Sequence, residues 1–117
     1  MKKMCLSVLL ASALLSGCAN NTIYYWGNYE NTLYRYTKQP GADTFERHKR
    51  ELERIIANGQ NGEKPVPPGI YFELGMMEAN SNNLERAVSL FRQEKQAYPE
   101  STQFVDKAIL MLERKTG

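Results

Sequence analysis

Chemistry in this chain has to come from a short roster of side chains. There are two cysteines, Cys5 and Cys18, and one histidine, His48, beside 13 acidic and 15 basic residues in 117. A thiol is a nucleophile and a soft metal ligand, and an imidazole moves protons near neutral pH. His48 stands in the charged run Glu46-Arg47-His48-Lys49-Arg50-Glu51 with no cysteine or second histidine near it. It is expected as a solvated surface residue. No HExxH, no GxSxG and no glycine-rich phosphate loop occurs. Gly59, Gly62 and Gly69 lie among prolines without the preceding strand that a phosphate site needs. No Cys/His set has metal-ligand spacing. The expectation is no enzyme, no cofactor, no metal and no small-molecule substrate.

Cys18 has a more telling setting. Met1-Lys2-Lys3 is a basic start, Leu6 to Leu15 is an apolar stretch broken only by Ser7 and Ser12, and Leu15-Ser16-Gly17-Cys18 follows. A permanent membrane-spanning helix needs roughly 20 apolar residues. This stretch is about half that and reads as a secretory signal. Small residues before the cysteine suit cleavage at that point, and only a thiol can accept a diacylglyceryl group. The segment resembles the lipobox of bacterial lipoproteins. That resemblance implies removal of residues 1–17 and lipidation of Cys18, with palmitate among the acyl chains. Ala19 stands next, not aspartate. By resemblance to enterobacterial lipoproteins this implies sorting to the outer membrane, anchored by lipid and facing the periplasm. The competing reading is an ordinary signal peptide with a chance cysteine at its cleavage site.

Removing residues 1–17 changes the arithmetic. Lys2 and Lys3 leave with them, so the remaining 100 residues carry 13 charges of each sign. A neutral domain is a poor nucleic-acid binder. Cys5 leaves too and Cys18 is acylated, so the mature chain has no thiol to pair and depends on packing alone. The domain division is therefore a signal segment 1–17, a lipidated tether 18–23 and a folded domain 24–117.

Within that domain the apolar spacing is helical throughout. Tyr29, Leu33 and Tyr36 mark a short helix over about 28–38, stopped by Pro40-Gly41. Asp43, with Glu46 three residues on, predicts a capping box and a second helix whose apolar face is Phe45, Leu52, Ile55 and Ile56. Its charged face is expected to be solvated. Residues 58–69, rich in Gly, Pro and Asn, are expected as a loop anchored by Val66. A third helix over 70–79, a turn at 80–83, a fourth helix over 84–98 and a fifth capped by Ser101 complete an all-α chain of about five helices.

The third and fourth helices carry a spaced pattern. Tyr71-x-x-Leu74-Gly75, then Ala87, Phe91 and Pro99, resemble the tetratricopeptide repeat, with Tyr71 in place of tryptophan and Glu78 where a tyrosine is usual. The best repeat spans 68–101. Gly75 and Ala87 are expected where the two helices approach most closely. One repeat cannot bury its own apolar face, so the first two helices and the fifth must cover it as a degenerate hairpin and a cap. In such repeats the first helix lines a peptide groove, which places Phe72, Glu73, Met76 and Asn80 there. The alternative is that Phe72 and Met76 pack against the first two helices as core. The aromatic segment containing Trp26 and Tyr29 is a second candidate surface, for a partner or for a membrane, unless it too is core.

Tyr24-Tyr25-Trp26-Gly27-Asn28-Tyr29, Val66-Pro67-Pro68-Gly69-Ile70, Leu74-Gly75 and Glu94-Lys95-Gln96-Ala97-Tyr98-Pro99-Glu100-Ser101 together resemble a family of small Gram-negative lipoproteins of unknown function. Its members are typically encoded beside a lipoprotein similar to the curli secretion pore. The resemblance implies a protein-binding adaptor or assembly factor in an envelope or secretion complex, with that pore-like lipoprotein as a partner. The alternative is a peptidoglycan-associated regulator of cell-wall synthesis.

Overall fold

The computed structural model describes residues 23–62 and 64–116. The expected signal segment 1–17, Cys18 and most of the tether lie outside them. Five helices follow in order: α1 (Tyr29–Lys38), α2 (Ala42–Asn61), α3 (Ile70–Asn80), α4 (Leu84–Ala97) and, after a 3₁₀ turn at Pro99–Ser101, α5 (Thr102–Thr116). No strand occurs among the described residues, so the chain is all-helical as its periodicity predicts.

The core lies where α2, α3 and α4 meet. Leu52, Ile55 and Ile56 of α2 pack with Ile70, Tyr71, Leu74 and Met77 of α3, and with Leu90 of α4. Each such side chain contributes about 1.5–3 kcal/mol when fully buried. The α3–α4 hairpin is the tightest pairing. A Cβ on Gly75 would stand 2.6 Å from the Phe91 ring and 3.2 Å from the Ala87 carbonyl. The small residues thus sit at the close approach their spacing predicts. Asn82, at φ 61°, turns the chain between the two helices.

Three boundaries differ from the sequence expectation. First, α2 begins at Ala42 with Gly41 before it and has no side-chain cap. Asp43 pairs instead with Arg47 at 3.3 Å, and the Thr44 hydroxyl donates to the Gln39 carbonyl at 2.7 Å. Second, α2 continues to Asn61 through the supposed loop. Val66 returns against the helix at Gly59, where any Cβ would collide with the Val66 side chain and would lie 2.8 Å from its nitrogen. Burial of Val66 (7% exposed) on the bare backbone there outweighs the poor helix propensity of glycine. Third, Ser101 ends the 3₁₀ turn and does not cap α5. Its hydroxyl donates back to the Tyr98 carbonyl at 2.6 Å.

The two hairpins share a construction that their sequences conceal. Each first helix begins just after a glycine with positive φ, Gly27 at 50° and Gly69 at 92°. Each has a buried glutamate on its second helix whose carboxylate accepts from that glycine's neighbourhood. Glu51 takes the Asn28 N–H at 2.8 Å, and Glu94 takes the N–H groups of Gly69 at 2.9 Å and Phe72 at 3.3 Å. Helix starts leave N–H groups without partners, and here the partner comes from the neighbouring helix and not from a local cap.

Candidate functional site

Three places gather the candidate side chains. The first is a groove of about 510 Å³ beside α3, bounded by α4 and α5. Its floor holds Phe72 and Phe91, whose rings stack at 4.8 Å, and Phe104 of α5 lies 4.4 Å from Phe72. Met76 (44% exposed), Phe104 (60%) and Met111 (62%) leave large apolar surface open. Asn80 stands at one end, and Lys107 and Lys115 of α5 are the charged residues of the wall. Neither lysine forms an ion pair among the described residues. Phe72, Met76 and Asn80 all line this groove. Phe72 packs toward α4 and α5, which corrects the alternative that it packs against the first two helices.

Glu73 is the exception in that set. It turns to the opposite side of α3 and enters a polar cluster built around His48. His48 is 1% exposed, so its expected surface position is wrong. Its Nε2 lies 2.6 Å from Glu73 Oε1 and its Nδ1 lies 2.8 Å from Thr32 Oγ1. Its ring lies parallel to that of Tyr36 at 6.3 Å and is tilted against Tyr29 at 5.4 Å. The Tyr29 hydroxyl donates to Glu73 Oε2 at 2.6 Å. Burial, and then the carboxylate of Glu73, push the Tyr29 phenol far above its ordinary range, so it stays a donor. When His48 is neutral, Nε2–H donates to Glu73 and Nδ1 accepts from Thr32. When it is protonated it donates at both ends, and the Thr32 hydroxyl is free for the Tyr29 carbonyl 3.2 Å away. In either state the cluster joins α1, α2 and α3 through one imidazole.

The charged face of α2, expected to be solvated, is drawn inward at Lys49 by a buried acid of α3. Glu78 of α3, 1% exposed, receives Lys49 of α2 at 2.9 Å, Arg86 of α4 at 3.0 Å and the Asn83 amide at 2.9 Å. Burial alone would raise its pKa, but Lys49, Arg86 and Asn83 together hold the carboxyl below the usual range. Glu51, also expected on the solvated face, is 4% exposed in its role at the start of α1.

The third place is the aromatic segment. Trp26 packs edge-on to Tyr24 at 6.4 Å and tilted against Tyr29 at 5.4 Å. Trp26, Asn28, Glu30 and Tyr34 surround an open hollow of about 900 Å³. The segment is part core and part surface. Tyr29 is held by Glu73, whereas Ile23 (72%), Tyr25 (38%), Trp26 (40%) and Tyr34 (62%) remain open. Cys18, the expected lipidation site, lies outside the described residues. Among the described residues no group of three or more His, Cys, Asp or Glu is placed to hold a metal ion, and no helix is long and apolar enough to cross a membrane.

Sequence reasoning missed the burial of His48, Glu51 and Glu94 because each sits amid charge in the sequence, whereas Glu78, flanked by Met77 and Ala79, stood out only as a departure from the repeat pattern. Phe104 and Met111 carried a signal, the i, i+7 spacing along α5, but which wall they line depends on how α5 docks.

A family model described as a domain of unknown function (DUF4810) matches residues 23–108. The match takes in α1 to α4 and the first half of α5, and the chain belongs to this family. No curated protein and no solved structure matches the chain.

Proposed function

We propose that this member of the DUF4810 family is an outer-membrane lipoprotein, acylated at Cys18, that works in the periplasm as an adaptor or assembly factor. The observation that carries the adaptor reading is the groove beside α3. Four large apolar side chains, Phe72, Met76, Phe104 and Met111, line one face of a small chain, and an open apolar surface of this kind marks an interaction site. The spacing shared with tetratricopeptide repeats supports the same surface.

The occupant is an amphipathic segment of another envelope protein, with acidic residues beside its apolar anchors. Lys107 and Lys115 are the charges on the groove wall, and like sign on that wall favours an acidic partner in choice and in rate of encounter. The pore-like lipoprotein to which the family resemblance points is the first partner to examine.

A photo-crosslinking residue at Met76 in intact cells tests this. The expected result is one dominant adduct, weakened by Lys107→Glu with Lys115→Glu and lost in Phe104→Asp, while the protein stays folded and anchored. An adduct indifferent to all three substitutions would remove the groove from the function.

A further inference from the structure

We infer that the exposed aromatic face at the start of the domain, formed by Ile23, Tyr25, Trp26 and Tyr34, rests on the bilayer surface. The inference depends on the proposed acylation of Cys18 and adds to it an orientation of the folded domain. Cys18 and Ile23 are five positions apart, and an extended chain covers at most about 3.6 Å per residue. The start of the domain is therefore within roughly 18 Å of the lipidated residue. The surface it presents there is aromatic. Ile23, Trp26 and Tyr34 are 72%, 40% and 62% exposed, and α1 buries none of its residues fully.

Trp and Tyr are favoured at the membrane–water boundary, where the ring meets acyl chains and the polar tip meets headgroups. Lys38, 6.0 Å above the Tyr34 ring, adds a cation suited to anionic headgroups. The exposed carboxylate of Glu30 on the same hollow holds the patch at headgroup depth, since an ionised group does not follow the rings into hydrocarbon. The tether supplies the remaining condition. A surface held this close has an effective concentration in the millimolar range, at which weak contacts are occupied. The groove, formed by α3, α4 and α5 at the other end of the helix order, is left to face the periplasm.

Trp26 is the sole tryptophan, so its fluorescence reads this surface directly. The mature protein, acylated at Cys18, is placed in vesicles of phosphatidylethanolamine and phosphatidylglycerol, in one set with dibrominated acyl chains. Emission should fall at least twofold in the brominated set. Ile23→Ser with Tyr34→Ser should restore most of it, with helical circular dichroism unchanged. Protein that floats with both vesicle sets but emits equally in them overturns the docking and leaves the anchor standing. Protein that fails to float overturns the anchor and the docking together, without bearing on the groove. Emission that shifts only with protein density and ignores bromine shows a second copy on the patch, and also overturns the docking.

Discussion

Glu94 is buried and ionisable, yet its Oε1 is aimed at the N–H groups of Gly69 and Phe72. Burial raises its carboxyl above the ordinary 4.5, against the pull of those two donors. The folded chain then keeps a proton that the unfolded chain has released, so Glu94 lowers stability as pH rises from 4.5 through the folded value. Glu78 has the opposite sign. Its folded pKa lies below 4.5, so its stabilisation is complete above that value and is lost as pH falls through the folded one. Urea midpoints from about pH 3 to about pH 8 separate the two. Glu94→Gln, which keeps an acceptor oxygen, should flatten the decline on the alkaline side. Glu78→Gln should flatten the loss on the acid side and lower stability at neutral pH, because Lys49 loses its partner. Glu94→Ala should cost about 1–3 kcal/mol below pH 4.5, since two N–H groups are left without an acceptor, and less above it, because the variant also loses the alkaline decline. None of this was legible in the sequence. Glu51 and Glu94 lie in charged runs, where an acid on a helix is usually solvated, and Glu78 stands where the repeat pattern has a tyrosine; only the neighbouring helices show which of them face inward.

Helix placement was far more legible than side-chain burial, and the reason lies in range. Periodicity, Pro40-Gly41 and Pro99 act over a few residues, so α1, α3 and α4 fall where local signals put them. The end of α2 is set by Val66, which returns from outside the helix, and no local rule contains that contact. Glycines show the same division between local and distant causes. Gly69 has open space around its absent Cβ but a φ of 92°, whereas Gly75 is helical and faces Phe91 at 2.6 Å. Gly69→Ala should therefore cost about 1 kcal/mol of backbone strain with little change in packing. Gly75→Ala should cost about 1–3 kcal/mol through overpacking against Phe91. The two differ in their rescue. Phe91→Leu should recover part of the Gly75→Ala loss and none of the Gly69→Ala loss, read as a coupling energy in a double-mutant cycle of urea unfolding.

Over the whole molecule, the helices form a sequence of neighbours: α1 on α2, α2 on α3, α3 on α4 and α4 on α5. Stability in such a stack is a sum of local terms, and the ends open before the middle. The buried apolar cluster belongs to α2, α3 and α4 with Val66 between the first two, and α1 contributes no fully buried residue. Beside the packing of Tyr29 on that cluster and of Tyr36 on Phe45, three polar contacts tie α1 down: Glu51 on Asn28, Thr32 on His48, and Tyr29 on Glu73. Two of these three depend on His48 or on the carboxylate it orients. His48→Ala should lower global stability by about 2–4 kcal/mol, from the cavity and from the lost bonds to Thr32 and Glu73, which keep only Tyr29 as a partner. Its sharper signature is spatial. In native-state hydrogen exchange, the amides of α1 should lose most of their protection in His48→Ala while those of α3 and α4 keep the order they have in the parent. His48→Gln can still meet one of the two partners and should fall between. Uniform loss across all five helices would mean that His48 supports the core as a packing residue and that α1 is held by something else. The distinction reaches the surface of the molecule, because Trp26 and Tyr34 are presented by α1 and the residues just before it. A chain whose α1 is loosened should retain a crosslinking groove beside α3 and lose the ordered aromatic face.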